Sequence, residues 1–541
     1  MVKIDDGVTR RHFLQTTMVA AGAAAFPYGS LLAKTTGSKA KYTRYNVMSP
    51  QGQQALKSYN KAVTRMLALD PKDPHNWFRI AFIHLMDCPH GNWWFYVWHR
   101  GYLGFLEEIV RKYSDDPTFA MPYWDWTAQA QPQIPAAMFD GALDPMNPPF
   151  QPYTRNLDVF TAFIKPTMKA HWDRLNDLQY QQLRNRSFNT FDDLWRSVTE
   201  PDKPGDRAFA PTDHARYLTR ANPKLNADTA YDVSPFVIHC GLQAPDFNNM
   251  EVFSLSFTST KAKSHNATPA PSTGTLFSTL EGLPHNKTHN YIGGAGAISA
   301  PFGNMTNNLS PVDPIFFLHH SNMDRLWDVW TRKQIRLGRD YLPTGNDLTT
   351  FSNEPFLFFV DPAGHTVAGK AGDYVSTAKP FDYDYEPGSG ENVATAATVG
   401  QLKSHAMQSL KATVKENASS LTVPRDVVRK HLSGAESCLM AEVTVESPSG
   451  SSPTREFDVI VGAPEGVTQV EADSPYYAGT IAFFGHMHHA GLATFAVPLP
   501  KKRTIFRNLE ATNVTVNIRV IPAHAGETPT ALKAVTVRVM Q

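Results

Sequence analysis

A dense group of metal-binding residue types occurs between positions 84 and 100, where the sequence reads His-Leu-Met-Asp-Cys-Pro-His-Gly-Asn-Trp-Trp-Phe-Tyr-Val-Trp-His-Arg. Its histidines, His84, His90 and His99, stand among tryptophan, phenylalanine and tyrosine. Imidazole is a common ligand of copper and zinc, and apolar surroundings keep water away from a reactive metal. A loop histidine and one on the following helix can converge on such a metal. The alternative is that all three are core histidines bonded to the backbone.

A second group follows about two hundred residues later. His285 and His289 are separated by one helical turn, so they lie on the same helix face, as a two-ligand clip requires. Position 286 is Asn, whereas a zinc protease of the H-E-x-x-H type needs Glu there, so a hydrolytic site is disfavoured. Further on, Asp313-Pro314 is typical of a helix start and precedes the pair His319-His320. Asp324 stands one turn after His320, where its carboxylate can support that imidazole.

The elements that must position these side chains are mainly helical. Helical periodicity occurs at 54–69, 92–113 and 315–333, and strand signals are sparse up to about residue 386. The stretch 127–153 is rich in proline and polar breakers and is predicted to be a loop.

The composition changes after Pro387-Gly388-Ser389-Gly390. From position 438 onwards, short β-branched segments alternate with turns, at 440–446, 456–461, 479–484, 492–499, 513–520 and 531–540. This spacing is typical of a small antiparallel β-sandwich.

Taken together, these motifs resemble the type-3 dicopper family, which comprises tyrosinases, catechol oxidases and molluscan haemocyanins. The resemblance runs from Trp77 to Tyr385. It rests on the tryptophan-rich run ending in His-Arg-Gly-Tyr-Leu, on Pro-Tyr-Trp-Asp-Trp from position 122, on the His-x3-His pair, on Asp-Pro-x-Phe-x-x-His-His-x-x-x-Asp-x-Leu-Trp from position 313, and on Tyr-x-Tyr at 383–385.

The resemblance implies a mainly α catalytic core, in which a four-helix bundle holds two copper ions that use dioxygen as co-substrate. Carried over residue by residue, the first copper would be bound by His84, His90 and His99, and the second by His285, His289 and His320. His319 would support the ligands without binding copper, because the family uses the second member of the pair. The first ligand sits at variable spacing in the family, so His75 is the alternative to His84.

Further roles follow from the same resemblance. In fungal-type members a Cys two residues before the ligand is joined to its ring by a thioether, which predicts a Cys88–His90 crosslink; the alternative is a plain buried thiol. Glu281 lies four residues before His285, where plant-type members carry a glutamate that holds a water. With Asn286, that water would help to deprotonate a phenol. A surface glutamate at a helix N-terminus is the alternative for Glu281.

The implied function is oxidation of small phenols by dioxygen. Monophenols would be hydroxylated at the ortho position, and o-diphenols would be oxidised to o-quinones. Catechol oxidase or o-aminophenol oxidase activity without monophenol hydroxylation remains open, because no single residue separates these enzymes. A dioxygen carrier of the haemocyanin type would use the same six ligands, but the export signal described below disfavours it.

The C-terminal segment resembles the shielding domain of plant and fungal proenzymes, a lid over the copper pocket. It predicts four regions: an export signal and linker at 1–38, the catalytic domain at 39–388, a linker with a helix at 389–435, and the β lid at 436–541. Phe484 is the candidate plug, and His486, Met487 and His488 are a candidate copper-loading site; a surface turn is the alternative for both. A latent form, activated by proteolysis between 387 and 433 or by acid, is expected.

The remaining expectations concern location and partners. The twin arginines Arg10-Arg11, followed by Phe13-Leu14, precede an apolar run at 18–26 that is too short to span a bilayer. This pattern predicts twin-arginine export to the periplasm or medium, with no stable membrane anchor. The formal net charge of +1 over 541 residues argues against a nucleic-acid partner. Three cysteines do not make a disulfide framework, and an odd count leaves at least one unpaired. An oligomer remains possible.

Overall fold

Four helices carry the histidine segments, and local sequence explains where they begin and end. The second helix of the chain, Trp77–Asp87, begins where the Asn76 side chain accepts a hydrogen bond from the backbone N–H of Phe78. The third, Phe95–Ser114, ends at Asp115, which adopts a left-handed conformation. The helix Ile315–Arg336 begins where the Asp313 carboxylate accepts from the Ile315 N–H, as the Asp-Pro pair predicts.

The computed structural model describes residues 39–128, 131–200, 207–267, 274–395, 407–415, 417–434, 438–448, 454–485 and 491–540. Its helices are α1 Pro50–Leu67, α2 Trp77–Asp87, α3 Phe95–Ser114, α4 Gln151–Thr154, α5 Leu157–Trp172, α6 Asp177–Asn185, α7 Phe191–Thr199, α8 Ala227–Asp232, α9 Pro235–Leu242, α10 Asn286–Gly293, α11 Ile315–Arg336, α12 Gly345–Asn353, α13 Glu391–Thr395 and α14 Arg425–Ser433. Its strands are β1 Tyr42–Arg44, β2 Thr275–Phe277, β3 Pro355–Phe356, β4 Gly369–Lys370, β5 Tyr383–Tyr385, β6 Met407–Lys411, β7 Thr413–Lys415, β8 Ala418–Pro424, β9 Met440–Glu446, β10 Glu456–Val461, β11 Tyr477–Ala482, β12 Leu492–Pro498, β13 Asn513–Pro522 and β14 Leu532–Met540.

The helical part is packed around aromatic side chains. Trp77, Trp94 and Trp98 are fully buried in one continuous core. A Cβ atom at Gly104 would lie 2.2 Å from a ring carbon of Phe381, so this contact against α3 requires glycine. The contact holds in place the helix that carries His99.

The C-terminal part is a β-sandwich, as its alternating sequence predicts. One sheet has the order β11-β10-β13-β8-β7 and the other β2-β12-β9-β14-β6. All pairings within these sheets are antiparallel except that of β12 with β2, which is parallel. Since β2 belongs to the helical part of the chain, the two parts share a sheet.

One feature differs from the sequence-based expectations, and a second was not predicted. Residues 407–411, 413–415 and 418–424, expected as part of a linker, form β6, β7 and β8 of the sandwich. Their apolar residues are interleaved with serine, threonine and lysine, which hid the two-residue period. In addition, Cys240 on α9 forms a disulfide with Cys438, just before β9, so the sandwich is tied covalently to the helical part. Cys88 is the remaining free cysteine, and it is buried.

The chain divides into two units, 1–40 and 41–541, and the helical part and the sandwich both belong to the second. The export signal expected at 1–38 lies outside the described residues. Among the described helices, none is both long and apolar enough to cross a bilayer.

Candidate metal centre

The first histidine group comes together as the spacing predicts. His84 projects from α2, His90 lies in the loop after it, and His99 projects from α3. The ring centroids are 5.2 Å apart for His84 and His90, 5.8 Å for His84 and His99, and 5.9 Å for His90 and His99. Three imidazoles at this spacing can share one metal ion.

The backbone fixes the tautomer of two of these rings. The Nδ1 atom of His84 lies 2.7 Å from the carbonyl oxygen of Asn308, and that of His99 lies 2.7 Å from the carbonyl oxygen of Phe95. Because a carbonyl only accepts, each Nδ1 must donate its hydrogen, which leaves the Nε2 lone pair bare. The Nε2 atom of His84 is buried and has no partner among the described residues. Carbonyl support of one ring nitrogen is the usual arrangement of a metal-binding imidazole.

The second group is built on an unusual local turn. Residues Glu281–His285 form a π-helical turn that contains Pro284, and α10 follows directly. Proline lacks the N–H of a regular helix, so a widened turn is favoured there. His285 ends this turn and His289 lies one helical turn further along, with the two ring centroids 4.6 Å apart.

The ring nitrogens of the second group are also arranged for a metal. The Nδ1 of His289 donates to the carbonyl oxygen of Met305 over 2.7 Å, and its Nε2 lies 3.1 Å from the Nε2 of His320. Two nitrogens bound about 2.0–2.1 Å from one tetrahedral metal would be roughly 3.3 Å apart. The Nδ1 of His285 lies 2.8 Å from the side-chain oxygen of Asn286, and its buried Nε2 has no partner among the described residues.

The two groups face one another. The His99 and His320 rings stack at 4.0 Å, and the His90 and His285 centroids are 5.9 Å apart. Burial lowers the pKa of His84 and of His285 to about 3, and burial together with the neighbouring histidines lowers the pKa of His320 well below its ordinary value. All three rings are therefore neutral at physiological pH. Neutral imidazoles with bare nitrogens at one centre fit two copper ions in either oxidation state.

The alternative ligand His75 is excluded by its own hydrogen bonds. Its Nδ1 lies 3.0 Å from the hydroxyl of Tyr113, and its Nε2 lies 2.8 Å from the carbonyl oxygen of Asp361. Both ring nitrogens are thus occupied outside the two histidine groups.

His319 lies close to the second group. Its ring is 4.8 Å from that of His289 and 5.0 Å from that of Trp126, and its two nitrogens are buried without a partner among the described residues. A ring nitrogen of His319 lies within 4.8 Å of a ring nitrogen of each of the three other histidines, His285, His289 and His320.

Asp324 has a different role from the one expected. The spacing places it beside His320, but its carboxylate bonds to Arg44 at 2.9 Å, to Arg100 at 2.7 Å and to the hydroxyls of Tyr383 and Tyr385. The Nδ1 of His320 has no partner among the described residues. Two guanidinium groups are stronger partners for a buried carboxylate than a neutral imidazole. Asp324 therefore anchors α11 against α3 and β5.

Cys88 lies against the rings of the first group. Its Sγ is 3.8 Å from the Nδ1 and 3.7 Å from the Nε2 of His90. The sulfur is therefore a direct neighbour of the His90 ring. The same sulfur is 3.3 Å from the Nε2 of His99.

Glu281 and Asn286 flank the centre, and the backbone N–H of Asn286 donates to the carbonyl oxygen of Glu281. The Glu281 carboxylate accepts from the backbone N–H of Gly91 over 2.5 Å and from the hydroxyl of Ser259. Burial raises the pKa of Glu281 to about 8, although these two hydrogen bonds oppose the shift. The Asn286 amide N–H donates to the carbonyl oxygen of Ala482, on the sandwich, over 2.8 Å. Glu281 is therefore a buried carboxyl group, not the surface residue of the alternative interpretation.

Phe484 of the sandwich enters the space between the two histidine groups. Its ring centroid is 4.3 Å from that of His289, 4.8 Å from that of His90 and 5.7 Å from that of His285. The Phe484 ring therefore lies against rings of both histidine groups. The other residues singled out in this loop, His486, Met487 and His488, lie outside the described residues.

Residues that the sequence did not single out fasten the sandwich to α10. Lys287 forms a fully buried ion pair with Glu456, and the Asn290 amide donates to Glu456 over 3.2 Å. The same amide nitrogen lies 3.2 Å from the carbonyl oxygen of Phe483. The sequence contains no local signal for this contact, because Lys287 stands among polar residues and its partner is 169 positions away.

Comparisons with known proteins agree with this site. Residues 74–333 match the common central domain of tyrosinase. The latent form of a chloroplastic polyphenol oxidase from Prunus armeniaca is 26% identical over 66% of this chain, and the match spans about half (51%) of that protein. Polyphenol oxidase D of Solanum lycopersicum is 22% identical over 88% of this chain and 74% of its own. The (+)-larreatricin hydroxylase of Larrea tridentata is 26% identical over 81% and 66% of the two chains.

Solved structures agree in fold over nearly the whole chain. Latent aurone synthase, a polyphenol oxidase, has a TM-score of 0.54 and 20% identity, covering 93% of this chain and 90% of its own. Latent apple tyrosinase has a TM-score of 0.52 and 19% identity, covering 93% and 98%. The two histidine groups are consistent with two bound copper ions and with dioxygen as co-substrate. The segment 74–333, which carries both histidine groups, is therefore a central domain of the tyrosinase type from the type-3 dicopper family, and the chain around it has the fold of latent polyphenol oxidases with a C-terminal lid.

Proposed function

We propose that this protein hydroxylates monophenols at the ortho position and oxidises o-diphenols to o-quinones. We assign His84, His90 and His99 to one copper ion, and His285, His289 and His320 to the other. The observation that carries this proposal is the pair of facing imidazole groups, with carbonyl-held Nδ1 atoms and Nε2 atoms turned towards one centre. Bound copper would supply dioxygen activation and electron transfer.

The protein's own groups would then handle the phenol. We assign Glu281, in its ionised form, as the base that accepts the phenol proton through a water, because it is a buried carboxyl group beside the second histidine segment and its raised pKa makes the ionised form a stronger base. Asn286 would orient that water once the lid no longer holds its amide. One similar protein is named a hydroxylase, which also supports action on monophenols.

Oxygen uptake with three substrates side by side tests the proposal. A monophenol, a catechol and an o-aminophenol should be compared on the same copper-loaded preparation, after the lid has been opened. Turnover of the first two is expected. Turnover of the catechol without the monophenol would restrict the protein to catechol oxidation, and turnover of the o-aminophenol would extend it to that class. Reversible oxygen binding without consumption would make it a carrier and defeat the proposal.

We predict a covalent link between Cys88 and His90. The Sγ of Cys88 lies within 3.8 Å of both ring nitrogens of His90, so the sulfur and the ring are neighbours before any bond forms, and a bond to Cε1 would restrain the ring. Its formation removes the thiol hydrogen and one ring hydrogen, and it therefore requires a two-electron oxidant such as dioxygen. Mass spectrometry of the peptide that contains both residues should show a mass lower by two hydrogen atoms than the sequence mass. A reactive thiol in the denatured, copper-loaded protein would contradict the link.

Phe484 is proposed as the plug of a latent form. Replacing Phe484 with alanine in the full-length chain should raise catechol oxidation by at least about tenfold, since burial of a phenylalanine contributes on the order of 1.5–3 kcal/mol. Monophenol hydroxylation should rise less, because the Asn286 amide stays bonded to Ala482.

Leu509→Ala is the matched control, since it shortens a partly buried apolar side chain elsewhere on the lid. Equal activation by both variants would mean that loosening of the lid, and not removal of the plug, opens the site.

Because of the Cys240–Cys438 disulfide, proteolysis alone is not expected to release the lid. We propose that the catalytic domain ends near residue 388 and that the lid begins before β6, earlier than position 436. Cutting between 396 and 406 would leave the lid attached through Cys240–Cys438. Full activation is therefore expected only when cleavage is combined with reduction, and a non-reducing gel should show one species until reductant is added. Full activation by cleavage alone would contradict this order.

We also propose twin-arginine export, supported by Arg10-Arg11 and the apolar run that follows. Replacing both arginines with lysine should retain the protein in the cytoplasm, as cell fractionation would reveal. Unchanged export after this double substitution would contradict the proposal.

A further inference from the structure

A second cavity lies on the opposite side of α2 from the histidines. Its volume is about 310 Å³, and it is lined by α2, α5, α6 and the segments at 72–74 and 358–366. No member of either histidine group lines it. A cavity of this size lies at the small end of the range for specific ligand sites.

The lining of the cavity is strongly basic. Lys72, Arg79, His171 and Arg174 line it, and among the described residues no carboxylate does. The Arg174 Nε donates to the carbonyl oxygen of Ala170 over 3.0 Å, which leaves its terminal nitrogens for another partner. The side chains of Lys72, Arg79 and His171 make no hydrogen bond to a described residue.

Asp73 is a nearby carboxylate, and it offsets the positive charge of the cavity only in part. Burial and then the charge of Arg174 lower the pKa of Arg79 to about 10, against the opposing influence of Asp73. Burial and then the charges of Arg79 and Arg174 lower the pKa of His171 to about 3. Asp73 lies outside the lining and accepts a hydrogen bond from the His75 N–H over 2.8 Å. An anion in the cavity would relieve the repulsion between these groups.

The floor of the cavity is apolar. Ile83 and Met86 of α2, together with Leu175 and Phe358, are buried side chains that line it. We propose that this cavity binds a small organic anion, in which a phosphate or carboxylate headgroup meets Arg79 and Arg174 and a short apolar tail lies on α2. Guanidinium groups bind such headgroups through paired hydrogen bonds.

Calorimetric titration of the full-length, copper-loaded protein tests the site with three probes. Hexyl phosphate should bind saturably at one site per chain and more tightly than inorganic phosphate, whereas hexanol, which lacks the charge, should not bind. Arg79→Gln should weaken hexyl phosphate binding by at least about tenfold, since a charge-assisted contact contributes on the order of 1.5–3 kcal/mol. Lys57→Gln is the matched control, because it removes one positive charge from an exposed position of α1 that does not line the cavity.

A second variant and a second readout keep the test decisive. Arg79→Lys retains the charge and should retain most of the affinity, which separates loss of binding from loss of fold. The NMR titration of His171 should show a higher pKa with hexyl phosphate bound. The proposal fails if hexyl phosphate shows no saturable binding, if Arg79→Gln binds it like the parent, or if hexanol binds equally well.

Discussion

Replacing His320 with asparagine is expected to remove one of the two copper ions and nearly all oxidase activity, whereas the same change at the adjacent His319 should leave both ions bound. The reason is geometric: the His320 Nε2 lies 3.1 Å from the His289 Nε2, close to the spacing of two nitrogens on one metal. His319 instead packs against Trp126. Metal analysis should give about one copper per chain for His320→Asn and about two for His319→Asn.

The variants His320→Asn and His319→Asn control for each other, because both positions are fully buried on the same helix and both changes remove one imidazole. General destabilisation would lower the copper content of both variants alike. Full copper and activity in His320→Asn, with loss in His319→Asn, would transfer the ligand role to His319 and overturn the assignment.

Replacing Glu456 with glutamine should abolish latency. Glu456 is the buried partner of Lys287 at the contact between lid and α10, and its loss leaves that ammonium without its counter-charge while the lid is closed. Removing one partner of a buried ion pair costs about 3–5 kcal/mol, part of which glutamine recovers by hydrogen bonding. The open fraction, and with it catechol oxidation by the full-length chain, should rise on the order of a hundredfold.

Glu446→Gln is the control for this change. It removes a lid glutamate whose pair with Lys533 is exposed on both sides, and such pairs contribute about 0–1 kcal/mol. The proposed role of the Glu456–Lys287 ion pair in closing the lid would be rejected if the two variants were equally latent while both kept the fold of the parent.

The contact between Glu456 and Lys287 should make latency depend on pH. Burial pushes the pKa of Glu456 upwards, but Lys287 and His524 outweigh it and hold the pKa below its ordinary value. Its contribution to closure is therefore lost as the pH falls below about 4.3 and through the closed-state pKa. Burial raises the pKa of Asp458 to about 7 and that of Asp232 well above its ordinary value, so their ionisation at higher pH opposes closure.

Latency should accordingly be strongest in mildly acidic solution and weaken towards strong acid. The measurement is the activity of the parent chain relative to Glu456→Gln at each pH, which cancels the pH dependence of the chemistry. A ratio that stays constant from about pH 3 to about pH 8 would exclude these groups as determinants of closure.

Local spacing accounts for the features that could be predicted from the sequence. The one-turn separation of His285 and His289, the Asp-Pro helix start and the two-residue period of the lid strands all depend on neighbours in the chain. The positions of α3, α11 and the last six strands follow from such patterns to within a few residues.

Long-range contacts account for what the sequence left open or gave wrongly. The choice of His84 over His75 depends on Tyr113 and Asp361 occupying the His75 ring nitrogens. The role of Asp324 depends on Arg44, which is 280 positions away, and the disulfide joins cysteines 198 positions apart. Pairings of this kind are set by the tertiary fold and leave no local period to detect.

Copper content and catechol-dependent oxygen uptake, measured on one full-length preparation before and after the lid is opened, test the central claim most directly. The two imidazole groups predict about two copper ions per chain in both states, and oxygen uptake that rises on opening to one dioxygen for every two catechols. A chain that binds zinc or a single copper ion, or that consumes no oxygen with an open lid, would contradict the assignment of this site as a dicopper phenol oxidase.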